Sequence, residues 1–288
     1  MTRWGRLLAA GAGAVAARYV LREVRTAPVG PALERTNFRG RTVTLAAGPA
    51  LAVGAATAGA LGAGSAPSGA AALVAGLGAG AVGLYDDVVG ARPEQKTAKG
   101  FAGHLAALRE GRVTAGLVKI IGVGAAGLGA AALLAADARV AAHPRRQRHG
   151  ALGRGVDVLL GAGVVAGTAN LLNLLDLRPG RALKSGMLLG APLAGGAHGG
   201  IAVGAVGAAA GLIRDDLDER VMLGDSGANA LGALLGVSMA ARTGPLGRAG
   251  ILAVLAVLTA ASEKVSFTQV IQRTPGLREL DALGRLDD

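Results

Sequence analysis

Long apolar stretches broken by short polar clusters set the layout of this chain. A helix needs about 17 to 25 apolar residues to cross the hydrocarbon core. Runs of that kind recur at about residues 5–21, 43–64, 68–85, 114–136, 155–177, 183–198, 200–213, 222–241 and 248–262. The pattern predicts an all-α, polytopic integral-membrane bundle of about nine transmembrane helices. The count is open by one, because 183–198 and 200–213 are short, glycine-rich and also readable as one broken segment. A single domain over residues 1–288 is expected, with 263–288 as a cytoplasmic tail.

The polar connections set an orientation. Residues 22–42, 86–113, 178–182, 214–221 and the tail fall on one side and hold most of the Lys and Arg, which places them in the cytoplasm by the positive-inside rule. The loop 137–154, with Arg139, Arg145, Arg146, Arg148 and Arg154, lies on the other side and is the member that fits the rule least well. Arg3 and Arg6 ahead of an apolar run imitate a signal peptide. Arg18 and the lack of a cleavage signal favour a retained first helix.

Composition narrows the class further. The 49 glycines suit close helix packing in a membrane, and the absence of cysteine excludes disulfides and thiolate metal sites. A net charge of +11 raises the question of nucleic acid. The basic residues are dispersed between apolar segments and aromatics are scarce, so no nucleic-acid partner is expected.

Chemistry gathers at segment edges, where ionisable groups point to function. Asp86-Asp87 closes the third segment, and a negative pair at a helix C-terminus opposes the macrodipole. Asn170, Asn173 and Asp176 recur every third residue along one face of the fifth segment; its asparagines also suit helix-to-helix hydrogen bonding. Asp225, framed by Gly224 and Gly227, opens the eighth. It is readable both as an N-cap and as a ligand. Lys96, Lys99, His104, Arg178, Arg181 and Lys184 sit in or beside the same-side loops. Carboxylates among basic residues suit metal-assisted chemistry on phosphates, and magnesium takes one or two carboxylates plus substrate oxygens.

Three runs, Asp86-Asp87 with Gly90, Asn173-Leu174-Leu175-Asp176, and Met222-Leu223-Gly224-Asp225-Ser226-Gly227, together with Asn37-Phe38-Arg39-Gly40-Arg41, resemble the polyprenyl-phosphate N-acetylhexosamine-1-phosphate transferase superfamily. That superfamily includes the phospho-N-acetylmuramoyl-pentapeptide translocases. The resemblance covers about residues 37–285. It implies magnesium-dependent transfer of a sugar-1-phosphate from a UDP-sugar to a polyprenyl phosphate, releasing UMP, in cell-wall polysaccharide or peptidoglycan synthesis.

By the same resemblance Asp225 is the metal ligand and Asp86 and Asp87 are catalytic. Asn173 and Asp176 help to hold the nucleotide and metal, and, from their charge and place in the same-side loops rather than from the resemblance, Lys99, His104, Arg178, Arg181 and Lys184 are also expected to bind substrate. Pro179 stands where the family has a second aspartate, and the tail has no histidine motif, which leaves the sugar open. The expected partners are the plasma membrane, a polyprenyl phosphate, a UDP-sugar and, as an option, a second copy of the chain. The alternative is a catalytically inactive relative that acts as a scaffold in wall assembly.

Overall fold

The computed structural model describes residues 2–92, 100–137, 140, 151–196 and 198–286. The chain forms helices α1 (Arg3–Thr26), α2 (Ala47–Gly62), α3 (Ala66–Tyr85), α4 (Gly100–Arg109), α5 (Ala115–Ala136), α6 (Ala151–Leu175), α7 (Arg181–Gly190), α8 (Gly199–Leu217), α9 (Gly224–Arg242), α10 (Pro245–Ser262), α11 (Phe267–Arg273) and α12 (Leu277–Ala282). It is therefore all-α apart from a short hairpin of β1 (Glu34–Thr36) and β2 (Thr42–Thr44), in which Arg35 pairs with Val43.

Four helices among the described residues, Ala66–Gly90, Ala115–Ala136, Leu152–Leu175 and Pro245–Ser262, are long and apolar enough to cross a membrane. Helices α1, α8 and α9 have comparable length but carry charges at their ends or along one face. The sixth expected segment is the largest departure. Its helix α7 has 10 residues, about 15 Å at 1.5 Å per residue, before a 3₁₀ turn at Ala191–Ala194 breaks it.

Helix α9 is the axis of the bundle, packed against α2, α3, α5, α6, α7 and α8. Its residues are buried nearly all the way round, as a central helix requires. Helix α1 buries Ala9, Gly13, Ala17 and Leu21, a row at every fourth position that lies on one face and meets α2 and α8. Helix α10 packs chiefly on α6 and buries only Arg248 and Leu255. The fully buried Arg248 donates to the Ala240 and Asp157 carbonyls and pairs with the Asp157 carboxylate at 3.0 Å, tying α6, α9 and α10 together.

The hairpin anchors the entry to α9. The Asn37 side-chain oxygen accepts the N–H groups of Arg39 and Arg41 and closes the turn. The Met222 N–H then donates to the Thr44 carbonyl at 2.8 Å.

Residues after α10 fold back onto the bundle. Leu277, Leu280 and Leu283 have the spacing of one amphipathic turn, and α12 forms across the first two. Arg181 donates to both carboxylate oxygens of Asp281 at 2.8 and 2.9 Å and to Thr268. Lys184 donates to the carbonyls of Leu280, Asp281 and Leu283 at the end of α12. Arg285 reaches Asp281 and the Pro179 carbonyl. The tail consumes Arg181 and Lys184, two residues expected to hold substrate phosphates.

Burial pushes the Asp281 carboxyl up, and the hydrogen bonds from Arg181 and Arg285 outweigh it and hold it below the usual carboxylate range. A depressed carboxylate stabilises docking above its unfolded value and loses that contribution as pH falls through the folded one. The cysteine-free chain allows a single spin label on Leu283→Cys. The label should be immobilised at neutral pH and gain mobility below about pH 4. Adding Asp281→Ala should give the mobile spectrum at every pH, and an immobile label in that variant would contradict the docking.

Candidate functional site

The C-terminal ends of α3, α6 and α8 and the N-terminal ends of α5 and α9 meet at one end of the bundle. Four of the expected aspartates converge there. Helix α3 runs on through a π-turn at Asp86–Gly90, and such widened turns are frequent at functional sites. The wider turn lets two consecutive aspartates serve different neighbours. Asp87 turns to α9, where its carboxylate oxygens accept the N–H groups of Asp225 and Ser226, both at 3.0 Å. Asp86 faces Lys119.

Lys119, near the start of α5, lies between two acids. Its ammonium is 2.7 Å from Asp86 and 2.5 Å from Asp225, and the Asp86 and Asp225 carboxyls also reach hydrogen-bonding distance of each other. Lys119 is not among the residues expected at the site from the sequence. A single charge inside Leu117-Val118-Lys119-Ile120-Ile121 was the available signal, since lone ionisable groups in apolar spans are expensive.

Asp176 follows α6 and accepts a backbone hydrogen bond from Gly224. Three successive N–H groups of α9, those of Gly224, Asp225 and Ser226, are thus held by carboxylates from other helices. The capping role considered for Asp225 belongs instead to Asp87 and Asp176. Asp225 lies in the first turn, and its side chain is directed at Lys119.

Two glycines make the approach possible. A Cβ on Gly83 would lie 2.4 Å from the Asp225 carbonyl, and Gly224, at φ +62°, would place one 3.0 Å from both Asp87 carboxylate oxygens.

Beside this cluster lies a cavity of about 230 Å³ lined by Asn37, Phe38, Asp176, Arg178, Asp216 and Glu219 among others. The Arg178 guanidinium stacks 4.3 Å from the Phe38 ring centroid. Glu219 is a non-glycine residue at φ +54°, a conformation costing about 1 to 3 kcal/mol and maintained only where surroundings enforce it. Its buried carboxylate is fixed by Asn37 at 2.7 Å and Arg39 at 3.2 Å.

The other expected residues are distributed differently. Asn173 makes no side-chain hydrogen bond among the described residues, and Asn170 bridges to Thr259 of α10 at 3.0 Å, a structural link. Lys96, Lys99 and the His104 side chain lie outside the described residues, although α4 carries the backbone of His104. No group of three or more His, Asp or Glu side chains arranged for a metal ion is present among the described residues. Asp86 and Asp225 nevertheless offer two hard oxygen donors, the number that magnesium takes from a protein when phosphates complete its shell. The donor chemistry fits an ion bound together with substrate, and does not fit a preformed cage.

Asp216, at the end of α8, accepts the Gly180 N–H at 2.6 Å. Burial pushes its carboxyl up to about 7, against that hydrogen bond and the charges of Arg285 and Lys184. A raised folded value means that protonation stabilises the fold fully below the unfolded value, and that this is lost as pH rises through about 7. Asp216→Asn preserves the acceptor and cannot ionise. Its melting temperature should match the unsubstituted protein only below about pH 4, exceed it by a growing margin as pH rises towards 7, and keep that margin at about pH 8.5. Equal melting across this range would refute the shift.

No protein-family model matches this chain, and a search of curated proteins returns no match.

Proposed function

We propose that this protein transfers an N-acetylhexosamine-type sugar-1-phosphate from a UDP-sugar to a polyprenyl phosphate at the cytoplasmic face of the plasma membrane. The observation that carries this reading is the convergence of Asp86, Asp87, Asp176 and Asp225 around Lys119 at one end of a bundle with membrane-length helices. An oxygen of the lipid phosphate attacks the β-phosphorus of the donor. The bond from that phosphorus to the bridging oxygen breaks, UMP leaves with the electron pair, and a lipid-linked diphosphate sugar forms. Such transfers need mainly positioning and charge neutralisation.

Each group then has a task. Asp86 orients the entering lipid phosphate and takes its remaining proton. Lys119 moves from the acids to the diphosphate, and Asp87 acts as a positioning residue through α9. A magnesium ion held by Asp225 would neutralise phosphate charge. The cavity beside Phe38 and Arg178 suits the nucleotide. An apolar groove of about 440 Å³, lined by Leu171, Leu175, Leu188, Leu258, Phe267 and Ile271, suits the first isoprene units.

A second reading, a catalytically inactive relative serving as a scaffold, draws on the engagement of Arg181 and Lys184 by the tail and on Pro179.

Purified protein given polyprenyl phosphate, magnesium and a panel of UDP-N-acetylhexosamines should release UMP. Asp225→Asn or Lys119→Ala should each lower the rate roughly 100-fold or more, as loss of one transition-state charge partner does. Absence of UMP with every donor would end the transferase reading and leave the scaffold one. Magnesium alone should barely shift the melting temperature, whereas magnesium with a UDP-sugar should raise it by several degrees. A large shift with the ion alone would contradict a site completed by substrate.

A further inference from the structure

The opposite end of the bundle holds two arginines, Arg6 and Arg242, that make no ion pair with an acid among the described residues. Helices α1 and α8 run side by side in the same direction, with Ala10 against Gly207 and Ala14 against Gly211. Arg6, one turn before Ala10, therefore lies beside the first turn of α8. Arg242, at the end of α9, donates to the carbonyls of Leu193 and Gly195 just before α8 begins. The two guanidinium groups are close enough that burial, and then the charge of Arg6, hold the Arg242 guanidinium below its usual range.

Both residues bury an Nε with no hydrogen-bond partner. Arg6 makes no side-chain hydrogen bond or ion pair among the described residues. Buried donors without partners are rare and call for an occupant. Arginine's planar fork matches phosphate oxygens, each able to accept two N–H groups.

The surroundings indicate where that phosphate resides. Trp4, Leu7 and Leu8 on α1 are 76, 58 and 73% exposed, and tryptophan concentrates at the membrane–water boundary. We infer that Arg6 and Arg242 form a binding site for the phosphate of an anionic glycerophospholipid headgroup, at the end of the bundle opposite the carboxylate cluster, with the acyl chains lying along the apolar face of α1. The two cations favour a headgroup with net negative charge over a zwitterionic one. This inference rests on the membrane reading and is independent of the transferase chemistry.

Trp4 is the only tryptophan and reports on the site directly. The full chain is reconstituted in phosphatidylcholine vesicles containing equal mole fractions of either brominated phosphatidylglycerol or brominated phosphatidylcholine, and quenching of Trp4 fluorescence is measured. The anionic lipid should be enriched roughly five-fold per arginine and quench more strongly. Arg6→Gln removes no hydrogen bond within the protein, so it should leave the melting temperature unchanged and abolish most of the preference. Arg6→Lys, which retains the charge without the Nε donor, should fall between, and Arg3→Gln should change little.

Equal quenching by both lipids, or an equal loss in Arg3→Gln and Arg6→Gln, would overturn the site. Loss of the preference on adding inorganic phosphate at constant ionic strength would overturn the lipid assignment in favour of free phosphate. No quenching by either lipid would instead refute the membrane reading.

Discussion

The bundle depends on how the first turn of α9 is satisfied. The opening N–H groups of a helix have no partners within it, and at the centre of a packed bundle water is a poor substitute. Asp87 from α3 and Asp176 after α6 supply the acceptors. Their negative charge meets the positive end of the helix dipole. Three helices are thereby fixed relative to one another through backbone groups. Gly83 and Gly224 let the chains come close enough for those bonds to form.

That constraint creates the chemistry. With Asp87 and Asp176 turned to the backbone of α9, Asp86 and Asp225 are left facing each other, an arrangement two carboxylates tolerate only with a proton or cation between them. Lys119 supplies the cation in the described state. An incoming diphosphate is a competing partner for the same ammonium, so the cluster is poised to exchange one set of ionic contacts for another. The hairpin, with the buried Glu219 locking Asn37 and Arg39, forms a wall of the cavity beside it.

Much of this was legible in the sequence, because it depends on local pattern. The apolar runs marked most of the helices, and charged residues at their ends marked the cluster, since carboxylates there have few structural reasons to exist. What was not legible depended on distance along the chain. The sixth segment already reads as short and glycine-rich, but the end of α7 at Gly190 and the 3₁₀ turn holding Pro192 are matters of backbone geometry that apolarity does not report. Arg181 and Lys184 looked available because their partners lie about a hundred residues later. Lys119 was hidden by the strength of the apolar signal around it. The hairpin was missed because strands of three residues carry almost no periodicity.

The order of synthesis gives the α9 contacts a further meaning. Asp87 and Asp176 are both made before the helix they cap, Asp87 by 138 residues relative to Asp225. When α9 enters the nascent bundle, acceptors for its exposed end are already in place, and the helix can dock without stranding its N–H groups in an apolar medium. Asp281 comes a hundred residues after Arg181. During synthesis Arg181 and Lys184 therefore pass through an interval without their tail partners. The carboxylate end of the bundle is completed in two stages, first its centre and then its rim.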